Sequence, residues 1–332
     1  MRTISIPRRL RSKRVLAVAA VGLLLVGGAV LGYWSSWFRQ ELHAGAVREY
    51  ALEIVAKDIE LGDGAVWHAW TYNGTVPGPT LRVKAGETLR VRMRNRHTLT
   101  HSFHARLAGF SFEHDGSAAN LVTGIGAAGV LVPGNEHLYE YRPTVPGVYY
   151  YHTGFADREH SGVQPEAQGL YGAIVVQDPK ERTLREEVLF MGEIGPHTEG
   201  AVDPFIMNGM GFPGGRKGLL AVFHREGNAG LRAQFNKTLP VFKAKVNESF
   251  KLHVINIGSH QHSLYIPSAA VPSLGVLGGR QWPARVVPLA PGAADTLLVK
   301  FTEPGLWLFR CHIPSHADQG MIGLFEVSDA AR

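Results

Sequence analysis

Two segments of this chain are versions of one another. KAGETLRVRMRNRHTLTHSFHA (Lys84 to Ala105) and KVNESFKLHVINIGSHQHSLYI (Lys245 to Ile266) align without a gap. Lys84 falls on Lys245, Glu87 on Glu248, Asn95 on Asn256, His101 on His262 and Ser102 on Ser263. Two further pairs follow in the same order: PGVYYYHTG (Pro146 to Gly154) with PGLWLFRCH (Pro304 to His312), and GLYGAIVV (Gly169 to Val176) with GMIGLFEV (Gly320 to Val327). Three matched blocks in one order mark a duplicated domain. The 332 residues are also too many for one ordinary core. In TLRVRMRN and FKLHVINI side chains alternate at period two, between turns rich in Gly, Pro and Asn. No long helical run is expected beyond residue 37. The expectation is an all-β protein of two Greek-key β-sandwich domains, 47–178 and 187–329, joined by a polar linker over 179–186.

The net charge of +6 suggests a nucleic-acid partner until it is located. Residues 1–14 carry Arg2, Arg8, Arg9, Arg11, Lys13 and Arg14 and no acid, which accounts for the whole excess. The rest of the chain is neutral, and no nucleic-acid partner is expected. Residues 1–14 are read as a basic cytoplasmic N-terminus. The uncharged run from Val15 to Tyr33, with Trp34 and Trp37 behind it, is about long enough to cross a bilayer. Residues 15–37 are therefore expected to form a transmembrane anchor. The chain would be a single-pass membrane protein with its domains on the periplasmic or extracellular side. A cleaved signal peptide is the alternative, although the only well-placed A-x-A candidate outside the apolar run, Ala44-Gly45-Ala46, lies well past it.

The single cysteine, Cys311, sits in FRCHIPSHADQGMIG, followed by His316 and Met321, each after four intervening residues. The repeat places His262 at the end of a strand in the same copy. Two imidazoles, a thiolate and a weakly held thioether make the ligand set of a blue, type 1 copper site. A soft thiolate donates electron density, and the weak Met lets copper change oxidation state with little rearrangement. In the first copy the cognate positions are His101, Thr153, His160 and Leu170, which lack the thiolate and the thioether. Copper is therefore expected in the second copy and not in the first.

Past the anchor the chain resembles the multicopper oxidases, the two-domain small laccases in particular. The resemblance lies in YNGTVPGPTLRVKAGETLRV, EHDGSAAN, EHSGVQPEAQGLYGAIVV and, most specifically, RCHIPSHADQGMIGLFEV. It implies a cupredoxin fold in both domains, type 1 copper in the second, and a homotrimer with further copper between domain one of one chain and domain two of the next. A laccase holds that cluster with four His-x-His pairs. Here the pairs read His104-Ala105-Arg106, His152-Thr153-Gly154, Tyr265-Ile266-Pro267 and Arg310-Cys311-His312, so only His104, His152 and His312 remain. Copper nitrite reductases, of the same fold, use a three-histidine site for one copper, and His152 and His312 resemble two of its ligands. By gapless counting that family's third ligand falls at Arg106, and His104 falls at its acidic proton donor. His104 is thus open as a ligand of a second copper or as a proton carrier. Asp115 resembles an acid lining the small-laccase cluster pocket and is a candidate proton donor, with a turn cap as the alternative.

Three functions follow. The first is a copper oxidoreductase. It would take electrons from a cytochrome or small blue-copper protein at type 1 copper and pass them to a mononuclear copper at the inter-subunit site. Nitrite or another small molecule would be reduced there. The second is a membrane-anchored blue-copper electron carrier whose second site is degenerate. The third is a laccase-like oxidase or copper-tolerance protein, against which the small number of methionines, 6 in the chain, speaks.

Overall fold

The computed structural model describes residues 45–62, 65–107, 129–153, 166–195, 198–199, 205–266 and 286–329. The first copy builds β1 (Val47–Gly62), β2 (Ala65–Tyr72), β3 (Leu81–Lys84), β4 (Thr88–Asn95), β5 (His101–Ser102), β6 (His104–Ala105), β7 (Val130–Leu131), β8 (Glu136–Tyr141), β9 (Gly147–His152) and β10 (Tyr171–Gln177). The second builds β11 (Glu186–Glu193), β12 (Thr198–Glu199), β13 (Phe205–Met207), helix α1 (Gly215–Ala233), β14 (Val241–Lys245), β15 (Ser249–Asn256), β16 (His262–Tyr265), β17 (Val286–Leu289), β18 (Ala294–Lys300), β19 (Gly305–Cys311), the short helix α2 (Pro314–Asp318) and β20 (Ile322–Ser328).

The duplication is visible in the sheets. The first copy has the strand orders β2-β1-β4-β8, extended at the β2 edge by β12 from the second copy, and β3-β10-β9-β6; the second has β13-β11-β15-β18 and β14-β20-β19-β16-β17. In each copy the opening strand runs parallel to the strand of the repeated segment, β1 beside β4 and β11 beside β15. The all-β expectation holds in part: the chain is mostly β, with two sheets facing one another in each copy.

Alternation makes these strands. Along β4, Leu89, Val91 and Met93 are fully buried, while Arg90 and Arg92 point out to Glu140 at 2.7 Å and to Glu136 and Glu49 at 3.1 Å. Exposed pairs of this kind add little. The stability lies in the inner faces: Leu52, Phe103, Tyr139 and Tyr151 in the first copy, and Phe250, Leu252, Phe309 and Phe325 in the second. Burying such a side chain is worth about 1.5–3 kcal/mol. A further cluster joins Tyr150, Tyr171 and Val175 of the first copy to Phe190 and Ile255 of the second, with the Tyr171 and Phe190 rings 4.9 Å apart.

The aligned asparagines act as one device used twice. Asn95 Nδ2 donates to the carbonyls of Leu99 and Leu131, each at 2.8 Å, and its Oδ1 accepts from His97 N. Asn256 Nδ2 donates to His260 O at 2.8 Å and Leu289 O at 3.0 Å, and its Oδ1 accepts from Gly258 N. Each side chain ties the loop after its strand to the strand beyond, and each is fully buried. Asn256→Ala would orphan three backbone groups. The expected loss is about 3 kcal/mol, seen as a lower urea midpoint at unchanged slope.

Two expectations need correction. A long helix does follow residue 37: α1, broken at Gly227 where φ is +60°. Its sequence hides it, because Gly218, Gly227 and Gly230 weaken helix propensity. Packing of Leu219 and Leu231 against Phe212, Leu239, Ala317, Ile322 and Leu324 supports it instead. The single-pass membrane placement is not supported. Among the described residues no helix is long and apolar enough to cross a membrane, and α1 carries Arg216, Lys217, Arg225, Glu226 and Arg232. The segment 15–37, on which the expectation rested, lies outside the described residues.

Candidate metal centre

The second copy delivers its ligand candidates from three directions. His262 opens β16 opposite Leu289 of β17, at the end of the loop that Asn256 pins. Cys311 closes β19 and sits opposite Leu264 of β16. Past it, Pro314 starts α2, which brings His316 back. Two backbone bonds close the loop: Cys311 N donates to Met321 O at 3.1 Å, and Met321 N donates to His316 O at 3.0 Å. The two four-residue gaps are therefore the lengths that this turn requires.

The donor atoms converge. His262 Nδ1 and His316 Nδ1 are 3.1 Å apart, and Cys311 Sγ lies 3.7 Å from His316 Nδ1. The three donor atoms all fall within 4.8 Å of one another, and all three residues are buried. Among the described residues this is the one group of three or more His, Cys, Asp or Glu side chains so placed. Met321, fully buried, belongs to the same apolar cluster as Cys311. A soft sulfur, two imidazole nitrogens and a neighbouring thioether, all on buried residues, fit type 1 copper by donor chemistry.

Two residues not singled out in the sequence frame the pocket. Glu193 Oε1 lies 3.1 Å from His262 Nε2. Phe205, directly across from Glu193 in the β11–β13 pair, stacks on His316 at 3.8 Å and 16°. Burial works to raise the Glu193 carboxyl, but hydrogen bonds from His262 and from the Ser259 and His260 backbone bring it down to about 2. Burial also works to lower His262, yet its bonds to Cys311 and Glu193 hold it above the usual imidazole value. His316 is pushed down to about 4 by burial and by His262, which favours the neutral, ligating ring. The sequence did carry a signal for Glu193. It shares the inward parity of Leu189 and Met191 on β11, where a charged residue is out of place.

The first copy solves the same geometry without a thiolate. His101 Nε2 meets His97 Nδ1 at 2.9 Å, and Trp70 packs on both rings at 5.2 and 5.5 Å. Burial and the neighbouring His97 push His101 down to about 3. Thr153 Oγ1 accepts from Ser102 N at 3.0 Å, and Leu170 is core. Asp115, His114 and His160 lie outside the described residues.

His104 and His152 are a cross-strand pair of β6 and β9, with rings 5.2 Å apart at 89°. His152 Nδ1 lies 2.6 Å from Glu166 Oε1, and Arg106 Nε donates towards His152 Nε2 at 3.5 Å. Glu166 is held below the usual carboxylate range, because its bond to His152 and the charge of Arg106 outweigh burial. His312 is exposed and packs beside Tyr265 at 5.2 Å. Within one chain it does not join His104 and His152 in a ligand group. Arg310 donates to Cys311 O at 2.9 Å and lies over the Tyr265 ring at 5.0 Å.

Comparison with known proteins agrees with this picture. Over 303 residues the chain is 25% identical to a probable nitrite reductase-hydroxylamine oxidoreductase fusion protein of Kuenenia stuttgartiensis, a match covering 85% of this chain and 32% of that one. The chain therefore spans about a third of that relative's length. It is 27% identical over 296 residues to a copper-containing nitrite reductase of Neisseria meningitidis, covering 84% of this chain and 69% of the relative. A crystal structure of a multicopper oxidase is similar with a TM-score of 0.64 at 26% identity, covering 85% of this chain and 89% of the other. The multicopper oxidase family is matched twice, at residues 53–181 in the first copy and 221–331 in the second. Copper, type 1 copper included, is the metal of that family. With both sandwiches matched in chain order, the chain belongs to the multicopper oxidase family.

Proposed function

We propose that this chain is a copper oxidoreductase that holds type 1 copper with His262, Cys311, His316 and Met321. The observation that carries the reading is the convergence of two Nδ1 atoms and one Sγ in a buried pocket. Copper bound there supplies a one-electron redox centre. The chain's part is to exclude water, with Phe205, Met321 and Phe309 in one apolar cluster around the thiol, and to link the pocket to the surface. Cys311 and His312 are consecutive, so covalent backbone joins the buried sulfur to the exposed imidazole.

The finer reading places a second copper at His104, His152 and the His312 of a neighbouring copy, in a cyclic trimer that closes three equivalent interfaces. A small oxidised anion such as nitrite is the substrate, and an external cytochrome or small blue-copper protein is the electron donor. Arg106, beside His152, carries a permanent charge that attracts an anion and can bond two of its oxygens. Reduction of nitrite to nitric oxide and water consumes one electron and two protons. His104 and Asp115 are the candidate proton donors.

One observation favours a second reading, an electron carrier with only the blue centre. Arg106 occupies the approach to His152 Nε2, the nitrogen that a copper would need. Copper per chain, EPR and light scattering on one sample decide between them. Two EPR-distinct coppers per chain in a trimer are expected for the oxidoreductase. One blue copper alone in a monomer would leave the carrier.

A further inference from the structure

We propose that Glu193 is the positioning residue of this centre. By accepting a hydrogen bond from His262 Nε2, it keeps His262 in the tautomer whose bare Nδ1 faces Cys311 and His316. The inference rests on the type 1 reading and deepens it.

Imidazole has two nitrogens, and only the unprotonated one can bind metal. In a fully buried ring the proton goes to whichever nitrogen finds an acceptor. His262 is 0% exposed, its Nε2 is buried with no other hydrogen-bond partner among the described residues, and the Glu193 Oε1 carboxylate oxygen stands 3.1 Å from it at ion-pair distance. The carboxylate is itself anchored. Ser259 N donates to its Oε2 at 2.8 Å, His260 N donates to its Oε1 at 3.1 Å, and His260 Nδ1 lies 3.0 Å from Oε1. Those backbone groups belong to the loop that leads into His262, so ligand and orienter are registered by one turn. The cross-strand neighbour of Glu193, Phe205, stacks on the other imidazole. One rung of the opposite sheet thus braces both histidines.

The internal repeat supports this independently. In the first copy His97 reaches His101 Nε2 at 2.9 Å, so the aligned ring also has its outer nitrogen occupied. The position aligned with His97 is Gly258. A Cβ there would stand 2.2 Å from Glu193 Oε2. The second copy has removed the side chain that fills this space in the first, and the carboxylate occupies it.

The test uses Glu193→Ala, Glu193→Gln and Gly258→Ala, with circular dichroism to confirm folding. In the metal-free protein, at a pH high enough to leave the His262 ring neutral, two-bond proton–nitrogen NMR identifies its protonated nitrogen. Wild type and Glu193→Gln, which keeps the acceptor oxygen, are expected to hold the Nε2–H form. Glu193→Ala and Gly258→Ala are expected to show both tautomers. On loading, copper affinity should fall about 10–100-fold in the Ala variants and recover in Gln, with the visible band and EPR hyperfine splitting shifted in parallel. An Nδ1–H wild type, or Ala variants with affinity within about twofold of wild type, would overturn the proposal. If Glu193→Ala does not fold, Gly258→Ala, which leaves the carboxylate in the chain, carries the test. A held tautomer in a wild type that shows no blue band would support Glu193 and remove the type 1 reading.

Discussion

Cys311→Ser is expected to abolish the intense visible absorption of the copper-loaded protein. That absorption arises from a thiolate bound to copper, and no other thiol exists in the chain. Serine is smaller than cysteine and its hydroxyl is a hard ligand with little affinity for the site. The fold should survive. Cys311 is one member of a large apolar cluster with Phe309, Leu264 and Met321, and the new hydroxyl can bond the nearby His316 Nδ1. The cost should be about 1–2 kcal/mol. The checks are a visible spectrum, an EPR spectrum and a urea curve on both proteins. A variant that keeps the band, or a wild type that never shows it, would refute the ligand assignment.

The second large effect concerns dioxygen. Four-electron reduction to water requires several coppers close together, and the chain lacks five of the eight histidines that a laccase-like cluster uses. Arg106, Gly154, Tyr265, Pro267 and Arg310 occupy their places. The structure accounts for three of them. Arg106 points at His152, while Arg310 lies over the ring of Tyr265 and bonds the Cys311 carbonyl. Gly154 and Pro267 lie outside the described residues. Guanidinium groups are cations at every relevant pH and cannot ligate copper. Negligible oxygen consumption is therefore expected with phenolic or ferrous donors, together with turnover or binding of nitrite under a reduced blue-copper or cytochrome donor. An oxygen electrode and nitric oxide detection on one copper-loaded preparation give the answer. Brisk oxygen uptake with no response to nitrite would reverse it.

Much of this protein was legible without coordinates, for reasons that differ by element. The duplication showed because a repeated fold needs the same residues at the same turns: Asn95 and Asn256 recur because each must bond three backbone groups. The strands showed because a sheet with one buried face imposes period two. Cys311, His316 and Met321 showed because one hairpin and one short turn hold them, so their geometry is local. His262 was legible through the repeat alone, since it is distant in sequence.

What stayed hidden depends on long-range packing. Glu193 and Phe205 belong to the opposite sheet and meet the histidines only when the sandwich closes. Helix α1 is supported by the Leu219–Leu231 contact surface rather than by its own glycine-rich sequence. Glu166 reaches His152 across a stretch with no periodic signal. The sequence by itself determined the mostly β, two-sandwich architecture and singled out the candidate ligands of the second copy, because periodicity, spacing and the internal repeat carry both. Only the tertiary structure decided which nitrogen of each histidine faces the pocket and that Arg106 stands against His152. Ring orientation and charge placement are set by neighbours that no local pattern encodes.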